Sequence, residues 1–438
     1  MPVSNPVIVV PGITASYLQD DYPVSPETIW GVVHKDYERA ALHPDNLRYE
    51  AREPARVVSG QVYEIAYKEL IEELRFNLAE KPEEPVPVFP FGYDWRQPLE
   101  LVEDALLRFV DEVIERTKLM PHYHKAGYGA DPKVNLVGHS MGGLVIAGML
   151  ARHGQTARAG KVATLASPFQ GSFESVIKVT TGTANLGTSP PSSREREAAR
   201  MTPALYYLVP SFANGLDVPP SLPQTLFDPA VWQPSILTSL EQYIRLHGLE
   251  GGNQRARTAQ ARSLFATMLT AASDHRQRLD GLNLPDAGLE TNDWLCVVGV
   301  DSVTRVRLHV KRKGQAAEFD FRSDDRANLW GDEKAPTSEW GFTGDGTVPF
   351  EGAVPKFLDR ANLVCVTPDD YGYWELSDRA TTKLAGFHGI LPNMNMLHRL
   401  IVRHFTGRPD RHGNTWGRPA PGVEAWAPPL DLHNKQKD

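Results

Sequence analysis

Cysteine is almost absent: the 438-residue chain carries only Cys296 and Cys365. Two thiols exclude a disulfide framework, and they lack the paired spacing of a zinc site. Each sits in an apolar run, Trp294-Leu295-Cys296-Val297-Val298 and Leu363-Val364-Cys365-Val366, so both are expected as buried thiols in strands. An excess of positive charge is also missing. Lys and Arg number 46 against 54 Asp and Glu, a formal charge of −8 with a pI near 6.0. That balance argues against a nucleic-acid binder, which needs a basic face for phosphate. No apolar run is long enough to cross a bilayer. Met1 to Pro6 shows no basic segment leading into an apolar one, so no signal peptide and a cytoplasmic location are expected. His122 and His124 would share one face of an extended segment, half of a metal site, but no further ligand stands nearby. They are expected in a surface loop, and neither metal nor cofactor is expected.

What the chain does have is a 41% hydrophobic fraction, enough for one large core, and 35 Gly with 35 Pro, which mark many turns and long loops. Val7-Ile8-Val9-Val10 reads as a doubly buried strand stopped by Pro11-Gly12. Val134 to Val137, ending at Gly138, reads as a second strand, followed by a helix from Met141 to Arg152 with Gly154 as its stop. Helical spacing covers Tyr63 to Leu78, Leu99 to Leu119 and Asn393 to Phe405; further strands fit Val86 to Pro90, Lys161 to Ala166, Trp294 to Val300, Val303 to Val310 and Ala361 to Val366. Alternating strands and helices predict an α/β fold with a doubly wound, mostly parallel sheet, its chemistry at the carboxyl ends of the strands. Four regions follow: a core over 1–171, an inserted and mainly helical cap over 172–290, the rest of the core over 291–406, and a Pro/Gly-rich arm or disordered tail over 407–438. Within the cap a mobile lid is expected at about 180–200. Tyr206, Tyr207, Leu208, Phe212, Phe227 and Trp232 either line an acyl pocket or pack the cap onto the core.

The sharpest motif is Gly138-His139-Ser140-Met141-Gly142, a G-x-S-x-G between a predicted strand and a predicted helix. Glycines flank a strained strand-to-helix turn because side chains there would strike the sheet and the helix. The turn lifts Ser140 above the sheet and leaves the Met141 amide free to donate to an oxyanion. The second donor is expected from the loop after the first strand, at the amide of Ile13 beside Gly12. Serine needs a base and an acid, in the chain order Ser, Asp or Glu, His. Gly344-Asp345-Gly346-Thr347-Val348-Pro349 offers a carboxylate in a glycine-flanked loop, although Asp-Gly is also a common turn pair, and Asp301 is a second candidate. Of 14 histidines, those beyond Asp345 are His388, His398, His404, His412 and His433. His398 and His404 fall in the predicted last helix and His412 and His433 in the tail, which leaves His388, in a loop just before that helix.

With the elbow, Val10-Pro11-Gly12-Ile13, Tyr93-Asp94-Trp95-Arg96, Thr164-Leu165-Ala166-Ser167-Pro168-Phe169-Gln170-Gly171-Ser172 and Gly344 to Pro349 occur in one order. In these segments the chain resembles the lecithin:cholesterol acyltransferase-like branch of the α/β-hydrolases, which includes lipases, phospholipases and acyltransferases. The resemblance implies an α/β-hydrolase fold and a Ser140, Asp345, His388 triad. It also implies that His139, Asp94, Trp95 and Arg96 lie near the site. The expected activity is a serine hydrolase of lipid carboxylic esters that needs no metal. The alternatives are an O-acyltransferase with the same residues, or a non-catalytic scaffold that binds a partner through cap and tail. The expected partner is a lipid or small ester, with transient contact between an apolar lid and lipid surfaces. The sequence names no partner protein and no oligomeric state.

Overall fold

Val7–Val10 (β1) is β-branched throughout and buried on both faces, as a central strand of a covered sheet must be. In the computed structural model, residues 4–435 are described, apart from 53–54, 183–192, 322–342, 373–374 and 376–386. After β1 come Glu64–Leu78 (α1), Val88–Pro90 (β2) and Leu99–Lys118 (α2). Val134–His139 (β3) runs through Ser140 into Met141–His153 (α3), and Ala159–Leu165 (β4) follows. Phe173–Thr181 (α4) and Gln254–Asp280 (α5) precede Trp294–Gly299 (β5), Leu363–Val366 (β6) and Asn395–Thr406 (α6).

The six strands form one sheet in the order β6-β5-β4-β3-β1-β2, and every neighbouring pair is parallel. The chain leaves β1 toward β2 at one edge, then returns to β3 on the other side of β1. This reversal opens a crevice at the carboxyl ends of β1 and β3, where α/β sheets bind their ligands. Side chains alternate across the sheet. Ile8 and Val10 enter the core shared with α2, α3 and α5, whereas Val7 and Val9 enter the core shared with α1 and α6. The architecture is compatible with an α/β-hydrolase.

Residues 172–290 lie between β4 and β5, which are hydrogen-bonded neighbours, so the segment is an excursion from the sheet. It contains α4, the helices Ser193–Arg200, Pro203–Tyr207 and Pro234–His247, and α5. Of the expected lid at about 180–200, residues 183–192 lie outside the described residues. The expected strand from Val303 to Val310 starts only at Leu308 and joins a separate three-stranded sheet with Leu216–Asp217 and Ala316–Asp320. The residues before it are diverted because Ser302 bridges to Gly344 and Asp345 and Thr304 Oγ1 accepts from the Gly346 amide.

His122 and His124 occupy the short helix Pro121–Lys125 rather than a loop, with Pro121 at its first turn, a position that suits proline's fixed φ. Among the described residues no group of three or more His, Cys, Asp or Glu could hold a metal ion. No helix among them is long and apolar enough to cross a membrane. Residues 407–435 are an ordered arm rather than a disordered tail. Arg418 and Cys365 exchange backbone hydrogen bonds, so the arm continues the sheet past its β6 edge, and Arg418 and Trp416 both donate to buried Asp370.

His398 and His404 on α6 are buried against carbonyls, His398 Nε2 donating to Pro392 O and His404 Nε2 to Val162 O. Burial pushes both imidazoles down to about 4, whereas in the unfolded chain they titrate near about 6.5. Below that value the unfolded chain takes up protons that the folded one refuses. Stability is therefore full above about pH 6.5 and falls as the pH drops toward 4, by up to about 3 kcal/mol for each group. Urea midpoints measured at pH 7 and pH 5 should show this loss, and His404→Gln should reduce it. Equal midpoints at the two pH values would contradict the assignment.

Candidate active site

Ser140 adopts φ 54° and ψ −128°, a conformation that few side chains tolerate and that costs about 1–3 kcal/mol. The surroundings hold it there. Its amide donates to Leu165 O of β4 at 2.9 Å, while α3 starts at the next residue. A Cβ on Gly142 would overlap the Val10 carbonyl, and one on Gly12 would come within 2.9 Å of Ser140 Cβ. The glycines thus let β1 and its loop press against the turn. Met141 is the first residue of α3, where the helix leaves its amides unpaired. Ile13 lies in the facing loop, between Gly12 and a left-handed Thr14.

Three side chains from distant segments converge on this turn. His388 Nε2 lies 2.8 Å from Ser140 Oγ, and its Nδ1 lies 2.6 Å from Asp345 Oδ2. Since a carboxylate only accepts, the imidazole proton sits on Nδ1 and Nε2 accepts from the serine hydroxyl. Asp345 Oδ1 accepts from the Thr347 and Val348 amides at 2.9 and 2.7 Å, and the His388 amide donates to Asp345 O at 2.9 Å, which fixes both loops. Ser140 is 7% exposed, His388 9% and Asp345 1%, so all three are buried and the acid most deeply. Asp301, at the end of β5, is not the carboxylate facing His388; its amide donates to Thr343 Oγ1.

The sequence reading overlooked Tyr67, which on α1 looked like one more apolar position. Its hydroxyl accepts from the Gly12 amide at 2.9 Å and donates to His139 Nδ1 at 2.8 Å. The other ring nitrogen, His139 Nε2, donates to His388 O at 3.0 Å. This chain ties together the loop after β1, α1, the serine turn and the histidine loop. Burial, reinforced by the nearby His388, pushes the His139 imidazole far below its usual range and keeps it neutral, and burial pushes the Tyr67 hydroxyl up.

Tyr93 Oη donates to Pro11 O at 2.9 Å, placing the Tyr93-Asp94-Trp95-Arg96 segment against the same loop. Arg96 bonds Asp94 and Glu50, each at 2.8 Å, and the Ala40 carbonyl at 3.1 Å. Burial alone would raise the Asp94 carboxyl, but the Arg96 guanidinium outweighs it and holds Asp94 below its usual range. Trp95 packs on Trp30, whose Nε1 donates to Thr14 O at 3.2 Å. None of Asp94, Trp95 and Arg96 bonds to Ser140, His388 or Asp345; they brace the loop that faces them. In the 172–290 excursion Tyr206 and Trp232 pack against Phe265 and Phe212 against Phe173, while Trp232 also meets Phe319 and the Tyr207 hydroxyl donates to Glu100 of α2.

The sequence profile of the lecithin:cholesterol acyltransferase family matches residues 56–243, which bears out the resemblance read from the motifs. The match includes Ser140 and the Tyr93 to Arg96 segment but neither Asp345 nor His388. A chain in the crystal structure of a Tle4-Tli4 complex aligns over 92% of this chain and 98% of its own length, at 17% identity and a TM-score of 0.57, a likeness of fold. No curated protein matches the sequence.

Tyr67→Phe leaves a buried amide and an imidazole nitrogen without their partner and should cost about 1–3 kcal/mol. Urea denaturation at pH 7 checks this, and an unchanged midpoint would show that the bridge contributes nothing.

Proposed function

We propose that the protein is a serine hydrolase of lipid carboxylic esters, built as an α/β-hydrolase core over 1–171 and 291–406 with 172–290 as an inserted cap. The observation that carries this reading is the continuous hydrogen-bonded line from Asp345 through His388 to Ser140 on a strained turn at the sheet's crevice. The family-profile match supports a lipid acyl group as the substrate.

Ser140 Oγ attacks the ester carbonyl while His388 Nε2 takes the hydroxyl proton, and Asp345 orients the imidazole and stabilises its charged form. The carbonyl oxygen becomes an oxyanion, received by the Met141 and Ile13 amides. On collapse the carbon–oxygen bond to the alcohol breaks, and His388 returns the proton to the leaving alcohol. Water, deprotonated by the same imidazole, then attacks the acyl-serine and releases the fatty acid. His139 stays neutral because of its burial, so it adds no charge beside the imidazolium. An alcohol in place of water gives acyl transfer by the same residues. The name of the matching family favours testing this second outcome, and an added acceptor alcohol distinguishes it by capturing the acyl group faster than water does.

Chromogenic esters of rising chain length, with phospholipid vesicles alongside, test the reading. Ser140→Ala should lower kcat by about a thousandfold or more, and Asp345→Asn by about a hundred- to ten-thousandfold. Turnover by Ser140→Ala equal to that of the parent would overturn the assignment.

A further inference from the structure

Ser172 ends the loop after β4 and caps α4, the first helix of the 172–290 excursion. It is buried, with an extended backbone at φ −143° and ψ 139°. Its Oγ accepts from the Glu174 amide at 3.2 Å, the usual service of a serine at a helix start. That bond leaves the hydroxyl proton free to serve another acceptor. It goes to Thr347 O at 2.5 Å, in the loop that carries Asp345, 175 residues further along the chain. The Ser172 amide donates to Leu208 O at 2.8 Å, so the excursion holds the same residue from its other side.

The Thr347 carbonyl and the Val348 amide belong to one planar peptide unit. Ser172 donates to the oxygen of that unit, and its N–H donates to Asp345 Oδ1 at 2.7 Å, the shorter of the two amide bonds on that oxygen. The other carboxylate oxygen faces His388 Nδ1. A hydrogen bond accepted by a carbonyl polarises the peptide, makes its N–H a better donor and fixes the plane of the unit. The line from Ser140 through His388 and Asp345 therefore continues through the 347–348 peptide and ends at Ser172. Neighbouring contacts hold that end in place. The Gln170 amide donates to Gly352 O at 2.7 Å, just past the acid loop, and the Ser211 amide donates to Gln170 O at 2.9 Å. Buried Arg276 of α5 donates to Ser211 Oγ at 2.5 Å and to Tyr207 O at 2.9 Å.

The geometry points to Ser172 as a positioning residue for Asp345: its hydroxyl sets the plane of the 347–348 peptide and, through it, the carboxylate that orients His388. Ser172 itself hydrogen-bonds to none of Ser140, His388 and Asp345. The inference rests on the hydrolase reading of those three residues. A serine that served only as a helix cap would affect folding and leave the chemistry alone.

Steady-state kinetics of the full chain with a chromogenic ester test this. Glycine caps a helix nearly as well as serine but has no hydroxyl, so Ser172→Gly should lower kcat about tenfold with KM unchanged. Ser172→Thr keeps the hydroxyl and suits the extended backbone, and should stay within about threefold of the parent. On an Asp345→Asn background the glycine change should lower kcat by less than about twofold, because the group it acts through is already lost. A glycine variant that fails to fold is replaced by Ser172→Cys, close to serine in size and a weaker donor, which should lower kcat about threefold and show the same dependence on Asp345. A parental kcat in Ser172→Gly, or an equal fold loss with and without the Asp345 carboxylate, overturns the positioning role and leaves the hydrolase reading standing. A parent chain that turns over no ester but is phosphonylated at Ser140 by a fluorophosphonate sinks the hydrolase reading alone, and the same comparison of variants is then read in phosphonylation rates. A parent chain that does neither overturns both.

Discussion

The backbone of Ser140 is the constraint on which the rest depends. A non-glycine residue at φ 54° persists only where its surroundings leave no relaxed alternative. Here β4 holds the serine amide, α3 begins one residue later, and the loop after β1 presses on the turn from the other side. Parallel strands on both sides of β3 make that crowding possible. They also bury the turn's base, so the strain is met by the stability of the whole sheet. The result is a hydroxyl projected into the crevice and a helix amide beside it, before any other side chain is considered.

A second layer of order comes from hydrogen bonds that cross between loops. Asp345 fixes the histidine loop through both its side chain and its carbonyl, and Thr304 secures the acid loop from behind. Tyr67 and His139 connect the serine turn to the loop that faces it, and His139 reaches the carbonyl of His388. These partners are buried, so losing one leaves the next unpaired in a medium without water. The geometry at Ser140 is thereby coupled to residues on α1 that never touch it.

Much of this was legible in the sequence because it depends on local rules. The period of apolar residues and the glycine stops placed α1, α2, α3 and α6 within a few residues of their ends. Chain order and loop position pointed to Asp345 and His388, and the structure puts His388 within hydrogen-bond reach of both Asp345 and Ser140. What stayed hidden depends on tertiary contact. Tyr67 falls on the apolar stripe of a helix, and only the fold reveals that its hydroxyl meets Gly12 and His139. The run at 303–307 has strand-like composition, but Ser302 and Thr304 are drawn to the acid loop instead. The arm after 407 has little periodicity, and its order comes from Asp370 and the free edge of β6.

The central claim is that Ser140, raised by the turn and activated by His388, is the group that becomes acylated. Intact-mass analysis after a brief exposure to a fluorophosphonate, followed by peptide mapping, tests this most directly. The account predicts a single adduct on the peptide containing Ser140, formed far more slowly in His388→Ala and not at all in Ser140→Ala. An unlabelled parent chain, or an adduct on another residue, would contradict it.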